Sequence, residues 1–126
     1  MSQNQKRIIP IYASNGEAPA FLVFPYLFNR SGEWIGFVTP KREVYSVMGI
    51  FVGTLTNDPR ITRKRSEAES GAHVKPPQKP GRIATPSSIP LAPMMSDLPL
   101  SQIDVLQDQP ERLHTIDSGE LREDMD

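Results

Sequence analysis

Apolar and polar positions divide this chain into two unlike halves. From Tyr12 to Leu55 short runs of aromatic, aliphatic and β-branched residues alternate with turn residues, and the pattern repeats three times. Each copy has an aromatic residue, a glycine four positions later, a small residue four after that, and then a mostly apolar pair. The first copy carries Tyr12, Gly16 and Ala20, the second Phe28, Gly32 and Gly36, the third Tyr45, Gly49 and Gly53. Asn15-Gly16 and Ser31-Gly32 supply the positive φ of a tight turn, so each copy reads as one β-hairpin. Predicted strands run from about residue 8 to 13, 18 to 24, 26 to 29, 33 to 39, 43 to 47 and 50 to 55, and no helix is needed before residue 60. Pro25-Tyr26 and Thr39-Pro40-Lys41-Arg42 link one hairpin to the next.

A repeat this short cannot bury its own apolar face, so neighbouring hairpins must stack to complete a core. Ala20, Gly36 and Gly53 mark positions where another chain segment comes close, with the rings of Tyr12, Phe28 and Tyr45 as the expected neighbours. Extending the period puts a fourth copy near Thr62, with Ser66 and Ser70 at its small positions. Arg63, Lys64, Arg65, Glu67 and Glu69 leave that copy no apolar face. Either Ile61-Thr62 adds a single closing strand, or an open edge pairs with another chain.

The aromatic-x3-Gly-x3-small motif, repeated three times, resembles the four-fold beta flower family, small bacterial domains of four hairpin petals around a pseudo-four-fold axis. The match covers about residues 8 to 65, and it departs from the pattern in the missing fourth turn glycine and in Pro19. The resemblance implies a mostly β fold and gives Tyr12, Gly16, Ala20, Phe28, Gly32, Gly36, Tyr45, Gly49 and Gly53 architectural roles; it implies no activity and no catalytic residues. Gly32 to Val38 also looks like a strand of a PRC-barrel.

All nine aromatic residues precede residue 52, whereas seven of the 13 prolines fall between Pro76 and Pro99. The expected division is therefore a hairpin-repeat domain over 1–65 and an unfolded, proline-rich half over 66–126. Pro77-Gln-Lys-Pro80 and Pro90-Leu-Ala-Pro93 have the spacing read by aromatic grooves, although such spacing arises often by chance in proline-rich chain and a spacer is the plainer reading. Apolar residues return from Ile89 to Leu106. Ser101-Gln-Ile-Asp104 resembles a capping box, so a short helix through about Gln107 can present Ile103 and Leu106. Leu98, Leu100, Ile103 and Leu106 are the expected partner-binding residues, and the same segment could instead fold back onto its own domain. The acidic end from Asp117 to Asp126 reads as solvated.

Charge sharpens this division. Residues 1–65 hold nine Lys/Arg against four Asp/Glu, a surplus of +5, while residues 66–126 hold five against eleven, −6. Arg60, Arg63, Lys64 and Arg65, with Lys6, Arg7, Lys41 and Arg42, form a candidate anion-binding set, although a solvated exit from the domain is the plainer reading. The chain has no cysteine, which excludes disulfides and thiolate chemistry. His73 and His114 stand 41 positions apart with no ligand spacing around them and read as solvated. The amino-terminal residues lack a signal-peptide apolar region, and no run is long enough to span a membrane, so a cytoplasmic protein is expected. Glu17, Glu33, Glu43 and Asp58 fall at turns or links, and a small domain has little room for a cleft. The expectation is a non-catalytic interaction or scaffold protein without cofactor or metal, binding a protein or itself. Nucleic-acid or anionic-surface binding is the alternative.

Overall fold

In a computed structural model, which describes residues 7–66 and 73–117, eight strands form one antiparallel sheet in simple sequence order. They are β1 (Ile9–Ile11), β2 (Ala20–Val23), β3 (Tyr26–Asn29), β4 (Trp34–Val38), β5 (Glu43–Ser46), β6 (Phe51–Leu55), β7 (Ile61–Lys64) and β8 (Gln102–Asp104). A one-turn helix α1 (Val105–Asp108) and a 3-10 turn (Pro110–Arg112) follow.

The repeated glycines set the hairpin tips. Gly16, Gly32 and Gly49 have φ of +92°, +84° and +80°, and each donates its N–H to the carbonyl three residues back. A second bond closes each tip, from Ala13 N to Glu17 O, Asn29 N to Glu33 O and Ser46 N to Ile50 O. This is the turn-plus-left-handed-residue connection common in short hairpins. The links between hairpins are tied in sequence around the molecule. Pro25 O accepts from Val38 N, Arg42 O from Leu55 N and Pro59 O from Tyr12 N. The last of these bonds brings the first hairpin back against the third link.

Strand alternation sorts the side chains into two cores. Leu22, Leu27, Ile35, Val38, Val44 and Val52 belong to an aliphatic cluster. Val23, Phe28, Trp34, Phe37 and Tyr45 point the other way into an aromatic one. In the aromatic cluster Phe37 stacks on Tyr45 at 5.4 Å, and Phe51 meets Tyr45 edge-on at 5.8 Å. Rings therefore pair with rings on neighbouring strands instead of lying on the small residues, as the repeat suggested. The small residues admit backbone: a Cβ at Gly36 would stand 2.5 Å from Tyr45 O, and one at Gly53 2.6 Å from Thr62 O.

The mostly β, hairpin-repeat reading holds, but the sheet does not end at residue 65. The fourth hairpin is β7 with β8, paired from Thr62–Asp104 to Lys64–Gln102, and Arg65 N bonds to Ser101 O at its mouth. Its tip is the whole proline-rich stretch. The fourth copy was invisible as a repeat because its second strand lies beyond that insertion. Ile103, Val105, Leu106 and Leu113 fill the aliphatic core, so the expected unfolded half supplies part of the fold. Of the two fates left open for the apolar segment, Ile103 and Leu106 take the internal one. The expected Ser70 position and the acidic end beyond Asp117 lie outside the described residues.

Residues 73–100 form a strap over the hairpin tips. Val74 N donates to Gly49 O and Ile83 N to Gly32 O, while Thr85 and Arg82 side chains bond to Arg30 O and Ser31 O. Tyr12 then donates its hydroxyl to Pro90 O at 2.9 Å. Val74 and Ile83 pack on the aromatic core, joined by Ile116. Every third residue from Val74 to Leu98 is apolar: Val74, Pro77, Pro80, Ile83, Pro86, Ile89, Ala92, Met95 and Leu98. All but Pro86 are half-buried. Three residues per turn is the period of polyproline II, which needs no ladder partner and tolerates proline throughout. High proline density excluded helix and interior strand, not order.

The strap comes so close to two tips that side chains there have no room. A Cβ at Gly32 would lie 2.0 Å from Ile83 O and one at Gly49 2.0 Å from Val74 O, whereas at Gly16 it meets nothing within 4 Å. Alanine at Gly16 should therefore cost about 1 to 2 kcal/mol for the left-handed backbone alone, and alanine at Gly32 or Gly49 should cost more because the strap must lift. Thermal unfolding of the three variants gives the order, and equal losses would show that the strap is not seated on the tips.

Candidate functional site

Two features stand out from the fold: a polar cluster where the ring of hairpins closes, and the outer face of the strap. The cluster centres on Arg60, which is 4% exposed. Its Nη2 lies 2.8 Å from Asp58 Oδ2 and 2.9 Å from Ser96 O, its Nε 3.1 Å from Asp58 Oδ2 and its Nη1 2.9 Å from Ser14 Oγ. Ser14 in turn donates both its N–H and its hydroxyl to Asp104 Oδ2, each at 2.6 Å. The other carboxylate oxygen of Asp104 caps α1 by accepting from Gln107 N. First hairpin, third link, strap and β8 thus meet through one guanidinium and one carboxylate.

Thr56 also donates its hydroxyl to Asp58. Partial burial opposes ionisation of Asp58, but the hydrogen bonds from Thr56 and Arg60 and the positive charge of Arg60 outweigh it and hold the carboxyl below its ordinary value. At the aromatic core burial, with the Glu43 carboxylate beside it, raises the Tyr45 phenol above its ordinary value. Its hydroxyl donates to Glu43 at 3.2 Å and stays protonated.

This geometry redistributes the expected anion site. Arg60 is inside, tied to Asp58, and Arg63 is 7% exposed with Nη2 donating to Gln109 Oε1 at 3.1 Å. Lys64 and Arg65 are exposed, Arg65 holding Leu100 O at 2.6 Å. Arg42 is committed to Leu55 O and Thr56 O. Arg7 and Lys41 are exposed, and Lys6 lies outside the described residues. The run of charges is split between interior and surface because residues 61–63 of β7 are buried while Lys64, at its end, is exposed, and because Arg60 finds an acid two residues away. His73 is exposed and pairs with Ile50 through one β-bridge. His114, expected to be solvated, is half-buried and lines a cavity of about 260 Å³ with Phe51 and Arg112. A second cavity of about 350 Å³ opens between the Glu33-Trp34 tip, Arg82 of the strap and Thr115–Asp117. Among the described residues no three His, Cys, Asp or Glu side chains gather as metal ligands.

Of the expected partner-binding residues, Ile103 and Leu106 are buried at 6% and 7%, Leu98 is half-buried, and Leu100 is 89% exposed. Leu91 and Met94 join Leu100, at 94% and 101%. The signal that would have found them is the period of three: Ile89, Ala92, Met95 and Leu98 share the inner phase, Leu91, Met94 and Leu100 an outer one.

A ring of four β-hairpins, closed by side chains and strapped by its own insertion, is the class of protein these observations define. The chain matches the family model described as 4-fold beta flower protein over residues 9–112, and it belongs to that family. No curated protein and no solved structure shows significant similarity to it. The family match also runs past residue 65 to the 3-10 turn, in line with the position of β8. The family's description names no activity. No helix among the described residues is long and apolar enough to cross a membrane.

Two outcomes test this geometry. A lowered carboxyl contributes stability above its unfolded value and loses it as pH falls through the folded one. Asp58→Asn should therefore lower stability at pH 7 by roughly 1 to 3 kcal/mol and flatten the acid limb of the stability curve below about pH 4. Chemical denaturation across pH reads both. Adjacent Met94 and Met95 differ in exposure, so dilute peroxide should oxidise Met94 first, and peptide mass spectrometry follows each sulfoxide.

Proposed function

We propose that this protein is a cytoplasmic, non-catalytic interaction protein in which the hairpin ring displays the strap to a protein partner. The observation that carries this reading is the row Leu91, Met94 and Leu100, each about nine-tenths exposed or more on a segment whose backbone is held at Pro90 and Ser96 by Tyr12 and Arg60. Aligned on one edge of a fixed backbone these side chains form an exposed apolar ridge, and burying each under a partner is worth about 1.5 to 3 kcal/mol.

Nucleic-acid or anionic-surface binding is the weaker reading, since Arg60 and Arg63 are spent inside the fold. It would show as association that falls steeply with salt.

The test is cross-linking in native lysate with the full chain and with Leu91→Ser/Met94→Ser/Leu100→Ser. A partner captured by the first and lost with the second is expected, with thermal unfolding showing both folded. Capture unchanged by the triple substitution overturns the reading.

A further inference from the structure

Between Ile89 and Leu100 the strap has an unusually regular pattern of exposure. Ile89, Ala92, Met95 and Leu98 are half-buried, and every residue between them is exposed. With three residues per turn, an extended segment has three edges, and the domain takes one of them. The second edge carries Pro90, Pro93, Ser96 and Pro99, the third Leu91, Met94, Asp97 and Leu100. We propose that this segment is a preformed polyproline-II ligand, held on its own domain by one edge and read by a partner's aromatic-lined groove along the other two.

The inference rests on the interaction reading above and names the partner's chemistry. Aromatic grooves take polyproline-II ligands by seating prolines and neighbouring apolar side chains between rings, while ring N–H and O–H groups bond to the ligand carbonyls. This segment meets both requirements. Pro90 and Pro93 share an edge at the required spacing. Tyr12 and Arg60 occupy only the carbonyls of Pro90 and Ser96, and among the described residues none donates to the carbonyls of residues 91–95. No charged residue occurs between Arg82 and Asp97, so the complementary surface is a neutral aromatic one and not an acidic or basic patch. The two tethers fix the backbone, so little ordering remains to be done on binding.

The probes are purified domains with aromatic grooves that bind proline-rich peptides, titrated against the full-length chain by calorimetry. Three variants accompany it: Pro90→Ala/Pro93→Ala, Leu91→Ser/Met94→Ser, and Phe24→Ser, an exposed apolar residue on the β2–β3 link. Saturable binding to at least one probe is expected, weakened about tenfold or more by each of the first two variants and unchanged by Phe24→Ser. Thermal unfolding confirms that all are folded. Failure of every probe to bind overturns the inference. So does binding that survives the proline substitutions but falls with the Leu91/Met94 pair, and that result leaves the broader interaction reading standing. Light scattering covers the remaining occupant: a dimer that the Leu91/Met94 variant dissociates would assign the ridge to a second copy of the chain and overturn the proposal.

Discussion

The pairing of β7 with β8 is the contact on which the rest of the molecule depends. β7 pairs on one side with β6, close in sequence, but the partner on its other side lies beyond the proline-rich stretch. Closing a loop of about 35 residues in place of a tip of about four costs roughly 2 kcal/mol more in chain entropy, since the cost grows only as the logarithm of length. The residues that follow more than offset it: Ile103, Val105, Leu106 and Leu113 enter the aliphatic core, each worth roughly 1.5 to 3 kcal/mol when buried. A long insertion at a hairpin tip is therefore thermodynamically tolerable where its far end carries core residues.

That closure dictates the position of the strap. The chain leaves β7 and must return beside it, and on the way it passes the tips of the other hairpins. At Gly49 and Gly32 it finds carbonyls and no side chain, and at each it makes a backbone hydrogen bond. The glycine that gives the tip its left-handed residue is also the vacancy that lets the strap approach. Two requirements fall on the same position in the second and third copies and only one in the first, where Gly16 has open space beside it. Val74 and Ile83 then cover rings that would otherwise face water.

The parts of this fold legible in the sequence were those governed by local rules. Turn glycines, strand alternation and a 16- to 17-residue repeat gave the first six strands and the hairpin architecture. The fourth hairpin was hidden because a repeat search assumes contiguous copies, and β8 shares no aromatic-glycine signature with its counterparts. Arg60 was misplaced for a related reason: a basic run looks solvated, yet one member falls in a link where Asp58, Ser14 and Ser96 O converge. The inner apolar phase from Val74 to Leu98 was present in the sequence throughout. It has a period of three, which tests for periods of 2 and 3.6 do not register.

An extended segment with one edge packed differs physically from a free proline-rich tail. A tail with the same residues must give up backbone and side-chain freedom when a partner takes it, and that loss is subtracted from the affinity. Here the fold has already met that cost through Tyr12, Arg60 and the half-buried edge, so contacts along the outer edges translate into binding with little deduction. The arrangement also limits what can bind. A groove that surrounds the ligand would need the inner edge, and taking it would uncover Leu98 and Met95 and strip Arg60 of Ser96 O. A partner that reads two edges from one side leaves the closure of the ring intact, so recognition and folding use different faces of the same twelve residues.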